Sequence, residues 1–225
     1  YTYIRNAKDF VTRKWHRWPV ESRADWEEKI RWRYDPADPA RLSPEFWERA
    51  AAAEASGKAV TVSVNGPFWQ MREWVGMEGL CALMIDDPQF VADMAEFWRT
   101  YVLAVLEQIL RRVRLDVLYV SEDMAYKAHS MISPAMMREF MLPRYKRLNR
   151  FFKEHGVDVV EMDSDGHNRD ILSVMYPEGI DGIQPVEIAA GNDPEEYLRD
   201  FPGLYMSGGI DKRELRFDYE RARAE

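Results

Sequence analysis

Short apolar runs alternate with amphipathic stretches along most of the chain. The clearest amphipathic stretch, about residues 88–114, has apolar residues at spacings of three and four and is predicted to be a helix. Its apolar stripe consists of Phe90, Met94, Phe97, Tyr101, Val105 and Ile109. Between the helical stretches lie five apolar runs typical of strands: Ala59–Val64, Val117–Val120, Val157–Met162, Ile180–Val186 and Leu204–Met206. This alternation predicts an α/β fold in which crossover helices connect a parallel sheet.

Four helices are predicted to begin at the same kind of dipeptide. In each, a Ser or Asp side chain caps the first turn and Pro fills the first helical position. The four dipeptides are Ser43-Pro44, Asp87-Pro88, Ser133-Pro134 and Asp193-Pro194. A further proline, Pro143, is predicted to kink or break the helix that begins at Pro134.

The two ends of the chain depart from this pattern. Residues 2–15 are predicted to form a β-hairpin, because strand-forming residues such as Thr2–Ile4 and Phe10–Thr12 flank a turn at Asn6–Asp9. The chain starts at Tyr1 without an initiator Met and stops within a predicted charged helix, Phe217–Glu225. We therefore interpret residues 1–225 as one partial domain of a longer protein, with the hairpin and a Trp-rich segment in 1–42.

The composition is that of a folded, acidic protein. Of the 225 residues 46% are hydrophobic, and the formal net charge is −8. That apolar fraction is too high for a disordered chain, and no stretch approaches the ~20 consecutive apolar residues of a membrane span. The acidic balance argues against nucleic-acid binding, and the single cysteine, Cys81, excludes a disulfide framework. We expect no nucleic-acid or membrane partner and a cytoplasmic location.

Polar and ionisable residues follow each of the five predicted strands. Because the carboxyl ends of parallel strands meet at one edge of the sheet, these residues are expected to gather into one site that binds a small molecule. They are Asn65 and Trp69, then Glu122, Asp123 and Tyr126, then Asp163, Asp165 and His167, then Gln184 and Glu187, and finally Gly209, Asp211 and Lys212. The alternative is that strand–helix turns are polar and acidic in any case.

Individual residues in this set differ in what they are expected to do. Glu122 and Asp123 are adjacent carboxylates, of which only one can point inward, leaving the other to cap a helix or pair with a cation. His167 is the one histidine at a predicted strand end and is the leading candidate among the histidines. Lys212 is either an anion-binding residue beside a helix N-terminus or an exposed lysine.

Several of these segments resemble the uroporphyrinogen decarboxylase superfamily. The resemblance rests on Val64–Phe68, on Ile132–Pro134 leading to Arg138–Pro143, on Asp165–His167 and on Gly208–Asp211, in that order and spacing. It covers about residues 18–215 and implies a (β/α)8 barrel with its site at the carboxyl-terminal mouth. Only five barrel-like strands are predicted here, so the barrel is expected to be incomplete at both ends.

Decarboxylation of a carboxylated, porphyrinogen-like substrate is the function that this resemblance favours. The decarboxylases use no cofactor, and the resemblance makes Asp165, His167 and Glu122 the candidate acids and bases. The other residues of the set are expected to contact substrate: Asn65, Trp69, Asp123, Tyr126, Gln184, Glu187, Gly209, Asp211 and Lys212. A homodimer is the default expectation for this family.

The superfamily also contains corrinoid-dependent methyltransferases, which provide the first alternative function. In those enzymes a zinc ion activates a thiol, and Asp163 and Asp165 take the positions of its His and Cys ligands. Two carboxylates favour a harder divalent cation, held by Asp163, Asp165 and His167, or no metal. This alternative also implies a corrinoid and a corrinoid-carrying partner protein. A second alternative is a non-catalytic binding module on the same scaffold.

Overall fold

The N-terminal residues form a short antiparallel pair of strands. A computed structural model of the protein describes residues 2–4, 12–211 and 213–214. Strand β1 (Thr2–Ile4) pairs with β2 (Thr12–Lys14), which confirms the predicted antiparallel pairing for the described residues. The predicted turn, Lys212 and the predicted C-terminal helix lie outside the described residues.

A five-stranded parallel sheet forms the centre of the fold. Its strands are β3 (Thr61–Asn65), β4 (Val117–Ser121), β5 (Val159–Asp163), β6 (Gly182–Val186) and β7 (Tyr205–Gly208). They lie side by side in the order of the sequence, and every neighbouring pair is parallel. All five predicted strands are therefore confirmed, with boundaries within two residues of the prediction.

Helices precede, connect and flank these strands, as expected for crossover connections. They are α1 (Arg23–Lys29), α2 (Pro44–Ala55), α3 (Pro67–Val75), α4 (Met77–Asp86), α5 (Pro88–Leu110), α6 (Pro134–Met136), α7 (Leu142–Glu154), α8 (Arg169–Met175) and α9 (Pro194–Asp200). The four predicted caps are confirmed, because each Ser or Asp side chain accepts a hydrogen bond from a first-turn N–H group: Ser43 from Phe46, Asp87 from Phe90, Ser133 from Met136, and Asp193 from Glu195.

The predicted break at Pro143 is present as a change of helix type. Between α6 and α7 the chain forms a π-helical turn, Met137–Met141, and Pro143 lies in the first turn of α7, where its missing N–H group costs nothing. Met137, Phe140 and Met141 are buried by this turn. The turn therefore anchors the start of α7 in the core.

Helix α5 is shorter than predicted, and its buried face is rotated. It ends at Leu110, and the centre of its buried face is formed by Trp98, Val102 and Leu106. From the predicted stripe, Phe97, Tyr101 and Val105 are only half-buried. The reason is that Phe97 and Tyr101 pack edge-on against Trp26 and Tyr34 of the N-terminal segment instead of against the sheet.

The two faces of the sheet have different chemistry. One face presents Val64, Val120, Met162 and Ile183, which are in register with one another and contribute to the apolar core. The opposite face ends, at the carboxyl edge, in a row of four polar residues that are also in register: Asn65, Ser121, Asp163 and Gln184. Polar side chains from four strands therefore meet at one edge, as the sequence predicted.

The described sheet is open at both sides. Strands β3 and β7 each pair with a single neighbour among the described residues, so the structure supports an α/β fold with a parallel sheet and does not include a closed barrel. Within the described part of the chain, no helix is both long enough and apolar enough to cross a membrane.

The cap at Ser133 gives a direct test of how the helices begin. Replacing Ser133 by Ala removes the acceptor of the Met136 N–H group, so we expect the free energy of unfolding to fall by about 1 kcal/mol. The matched control is Ser133→Asp, which keeps a capping oxygen and is expected to retain the wild-type stability. Urea denaturation followed by circular dichroism measures both variants; an equal loss in both would contradict the assignment.

Candidate functional site

The turn that follows β5 is fixed by buried hydrogen bonds. Ser164 is fully buried, and its Oγ accepts a hydrogen bond of 3.0 Å from the backbone N–H group of Met124. The backbone N–H of Ser164 donates to the carbonyl of Gln184 at 2.7 Å. These bonds connect the turn to the loop that follows β4 and to strand β6, so residues 163–167 have a defined position at the carboxyl edge.

Gly166 allows this turn to lie against the neighbouring loop. Its φ of +89° is in the left-handed region, and a Cβ atom there would lie 2.6 Å from the carbonyl oxygen of Tyr126. The N–H group of Gly166 donates to Oε2 of Glu187 at 2.7 Å. A glycine is therefore required at this point, and one oxygen of Glu187 serves to hold the turn.

A buried polar network, which was not predicted from the sequence, supports the same turn. Asn192 donates from Nδ2 to the carbonyl of Gly166 at 2.8 Å, and its Oδ1 accepts from the N–H of Asn168 and from the hydroxyl of Tyr197. Asn168 and Asn192 are both buried. The only sequence signal was the position of Asn192 next to the helix-capping Asp193.

The turn forms one wall of an open cleft of about 340 Å³. The polar residues that line it are Tyr126, Lys127, Asp165, Glu187 and Arg213. Three of these, Tyr126, Asp165 and Glu187, are candidate site residues from the sequence, and the structure brings them together. The exposed Asp165 follows β5, and Glu187 follows β6, so the cleft lies where parallel α/β sheets bind their ligands.

Two cationic residues complete the lining of the cleft. Lys127 is exposed, and its ammonium group makes no hydrogen bond or ion pair with any described residue. Arg213, by contrast, donates from Nε to Oδ1 of Asp211 at 2.9 Å. This pairing lowers the pKa of Asp211 to about 2, so the carboxylate of Asp211 serves to hold Arg213. Lys127 is thus the cation available to an anionic ligand.

Asp123 connects the cleft to the end of the sheet. Its backbone has a φ of +48°, which is uncommon for a residue other than glycine, and its Oδ1 accepts the N–H group of Asp165 at 3.2 Å. Burial raises the pKa of nearby Asp163, and the charge of Asp123 raises it further, while a hydrogen bond from Ser121 opposes the shift. The carboxylates of Asp123 and Asp163 therefore lie close enough to influence each other's protonation.

Glu122 points away from this mouth. It is fully buried, and its carboxylate accepts hydrogen bonds from the N–H groups of Phe68 and Trp69, at 3.2 and 2.9 Å, and from the hydroxyl of Tyr145 at 3.0 Å. Burial raises its pKa to about 7, against the opposing effect of these bonds and of Arg72. Of the adjacent pair, Glu122 thus caps the N-terminus of α3, and Asp123 faces the mouth.

The ring of His167 lies beside the cleft and does not line it. The backbone N–H of His167 donates to the carbonyl of Tyr126 at 3.0 Å, while Nδ1 is buried and has no hydrogen-bond partner among the described residues. The ring packs near Gly191, where a Cβ atom would lie 3.9 Å from Cδ2 of His167. Residues 2–4, 12–211 and 213–214 contain no group of three His, Cys, Asp or Glu side chains placed to hold a metal ion, so Asp163, Asp165 and His167 do not form such a group.

The remaining candidates are distributed around the edge. Asn65 is exposed at the end of β3, and Trp69 is half-buried on α3. Gln184 is half-buried, and its carbonyl is used by the turn after β5. Gly209 donates its N–H group to the carbonyl of Val186 at 2.9 Å and so has a backbone role. Lys212 lies outside the described residues.

The fold is similar to that of a solved methyltransferase. A methyltransferase from Methanosarcina mazei matches 70% of this chain with a TM-score of 0.54 and 18% sequence identity. The match covers 45% of that protein, so this chain corresponds to less than half of its length. No family model and no curated protein matches the sequence. The similarity supports the α/β fold and extends to no individual site residue.

The burial of Glu122 predicts a specific dependence of stability on pH. Its pKa is about 7 in the folded protein and near 4.5 in an unfolded chain, so between these values the folded state holds a proton that the unfolded state has lost. The contribution of this group to stability therefore decreases by about 3 kcal/mol as the pH rises through that interval. We expect Glu122→Gln to remove this decrease.

Urea denaturation of the wild type and of Glu122→Gln at about pH 4.5 and about pH 8 measures the effect. The matched control is Glu154→Gln, which changes an exposed carboxylate at the end of α7 and should leave the pH profile unaltered. A stability difference between wild type and Glu122→Gln that is the same at both pH values would contradict the prediction.

Proposed function

We propose that the protein is an enzyme that binds a small anionic molecule at the carboxyl edge of its sheet and removes a methyl group from it. The observation that carries this proposal is the cleft lined both by Lys127, whose ammonium group has no partner among the described residues, and by Asp165. A cation of this kind recognises a carboxylate or another anion, and a carboxyl group beside it can exchange a proton with the bound molecule.

The proposed chemistry requires a proton at the atom that loses the methyl group. When the bond between carbon and a heteroatom breaks, the electron pair of that bond stays on the heteroatom, which is stabilised when Asp165 donates a proton to it. Asp123 holds the backbone of Asp165 in place, and Lys127 orients the anionic end of the molecule. The residues of this chain thus bind the small anionic molecule, orient it and donate a proton to its leaving group.

The methyl group needs an acceptor that this chain does not itself supply. A corrinoid carried by a partner protein supplies a nucleophile for methyl groups, and the fold similarity to a methyltransferase favours this reaction. The described carboxylates and His167 do not form a metal-ligand group, so no step of the proposal uses a metal ion. In this proposal the leaving group is activated when the carboxyl group of Asp165 protonates it.

Decarboxylation is the second candidate, and the same cleft favours it. Lys127 is suited to hold a carboxylate of the substrate. Once carbon dioxide leaves, the electron pair remains on carbon, and Asp165 is again the group placed to deliver the proton. The two candidates therefore share their binding and protonating residues and differ in the group that departs.

Turnover of defined probes distinguishes the two candidates. The full chain is incubated with para-methoxybenzoate and reduced cobalamin, or with uroporphyrinogen, and the products are identified by mass spectrometry. A demethylated product supports methyl transfer, and loss of carbon dioxide supports decarboxylation. Probe binding without either product would contradict both and favour a non-catalytic binding module.

For whichever reaction is observed, we expect Asp165→Asn to lower kcat by about 100-fold or more, because an amide cannot donate the proton that general acid catalysis requires. The matched control is Asp158→Asn, which changes an exposed carboxylate before β5, at the opposite end of that strand. An Asp165→Asn variant that keeps the wild-type kcat would remove Asp165 from the mechanism.

A further inference from the structure

Arg72 is a further cation near the carboxyl edge, and several contacts hold its side chain. It lies on α3 with its guanidinium carbon 4.7 Å from the ring centroid of Trp69 and 5.2 Å from that of Phe68. Its Nη1 donates to the backbone carbonyl of Asp123 at 3.1 Å and contacts Sδ of Met131 at 3.6 Å. The side chain is half-buried, and these contacts fix both its position and the plane of its guanidinium group.

The guanidinium group has unused hydrogen-bonding capacity. An arginine carries five N–H donors, and only those on Nη1 have acceptors among the described residues. Nε and Nη2 contact no acceptor among the described residues, and neither atom is completely buried. They form one side of the planar fork that matches a carboxylate.

The electrostatic surroundings leave this cation without a neutralising partner in contact. Burial lowers the pKa of Arg72, and the charges of Asp123, Glu122 and Glu73 oppose this effect from a distance. Among the described residues, none of these carboxylates forms an ion pair with Arg72, and Glu122 uses its oxygens on α3 and Tyr145. A half-buried cation that lacks a carboxylate in contact gains from an external anion.

We propose that Arg72, stacked on Trp69 and supported by the Asp123 carbonyl, is a binding subsite for a planar carboxylate of the substrate. The inference rests on the proposed function in one respect, because it assigns the substrate class of the same mouth. Asp123 contacts both regions: its carbonyl accepts from Arg72, and its carboxylate accepts from Asp165. Asp123 thus lies between Arg72 and the turn that carries Asp165.

The uncommon backbone conformation of Asp123 is consistent with this arrangement. Its φ of +48° lets one residue turn its carbonyl toward α3 and its carboxylate toward the turn after β5. Such conformations persist where the surrounding structure requires them. At this position Asp123 contacts both Arg72 on α3 and the turn that carries Asp165.

Equilibrium binding of benzoate to the full chain tests the subsite without any need for turnover. Nitrogen-15 NMR of the arginine Nε–H groups identifies the Arg72 signal as the one lost in Arg72→Gln. In the wild type we expect this signal to shift more than any other arginine signal as benzoate is added. We expect Arg72→Gln to bind benzoate about tenfold more weakly, since a charge-assisted pair with two hydrogen bonds is lost.

The matched control is Arg112→Gln, because Arg112 also stacks on a tryptophan, Trp47, at 3.7 Å, but lies before β4 at the amino end of the sheet. It should bind benzoate as the wild type does. An unshifted Arg72 signal in the wild type, or equal weakening in both variants, would overturn the proposal. If Arg72→Gln does not fold, Arg72→Lys, which keeps the charge but also lacks an arginine Nε–H group, assigns the signal, and the wild-type titration then decides the question. Benzoate binding at Arg72 by a chain that turns over neither probe would retain the subsite and reject the proposed function.

Discussion

The buried carboxylate of Glu122 is the interaction on which the geometry of the mouth depends. It lies directly after β4, accepts the first N–H groups of α3 and the hydroxyl of Tyr145 on α7, and so joins three elements that are distant in sequence. The contact is close: a Cβ atom on Gly66 would lie 2.2 Å from Oε2 of Glu122. Without a side chain at Gly66, α3 can begin directly over the carboxylate.

This anchor determines what the adjacent residues do. Because Glu122 is directed into the protein, Asp123 is directed toward the mouth, where it meets both Arg72 of α3 and the turn after β5. The π-helical turn before α7 contributes to the same result, since it buries Met141 at the start of the helix that carries Tyr145. The position of Arg72 and that of Asp165 thus depend on one buried acid.

A second fixed point is the turn after β5, whose shape depends on short polar contacts. The side chains of Ser164, Glu187 and Asn192 each satisfy a backbone group that would otherwise be left unpaired: the N–H of Met124, the N–H of Gly166 and the carbonyl of Gly166. These bonds leave Asp165 exposed at the cleft. The rigid part of the site is therefore formed by backbone groups and by the side-chain amide of Asn192. The carboxyl group of Asp165 lies at the surface of this part.

Local signals predicted most of the fold. The strands followed from apolar runs, and the helix starts from Ser-Pro and Asp-Pro pairs, because a cap and a strand are determined by residues close in sequence. The direction of Glu122 and the partners of Arg72 and Asn192 could not be predicted, since each depends on contacts between residues distant in sequence. The middle of the α5 stripe is only half-buried for the same reason: Phe90, Met94 and Ile109 are buried as predicted, but Phe97 and Tyr101 pack on a segment more than 60 residues away.

A crystal structure of the protein with para-methoxybenzoate is the most direct test of the central claim that the carboxyl edge binds a small anionic molecule. We expect the carboxylate of the probe to lie at the carboxyl edge, on Arg72 or on Lys127, with its methoxy group beside Asp165. The larger cavity of about 560 Å³ at the amino end of the sheet, lined by Lys58 and Arg114, is the competing location. Density for the probe in that cavity, with none at the carboxyl edge, would contradict the account.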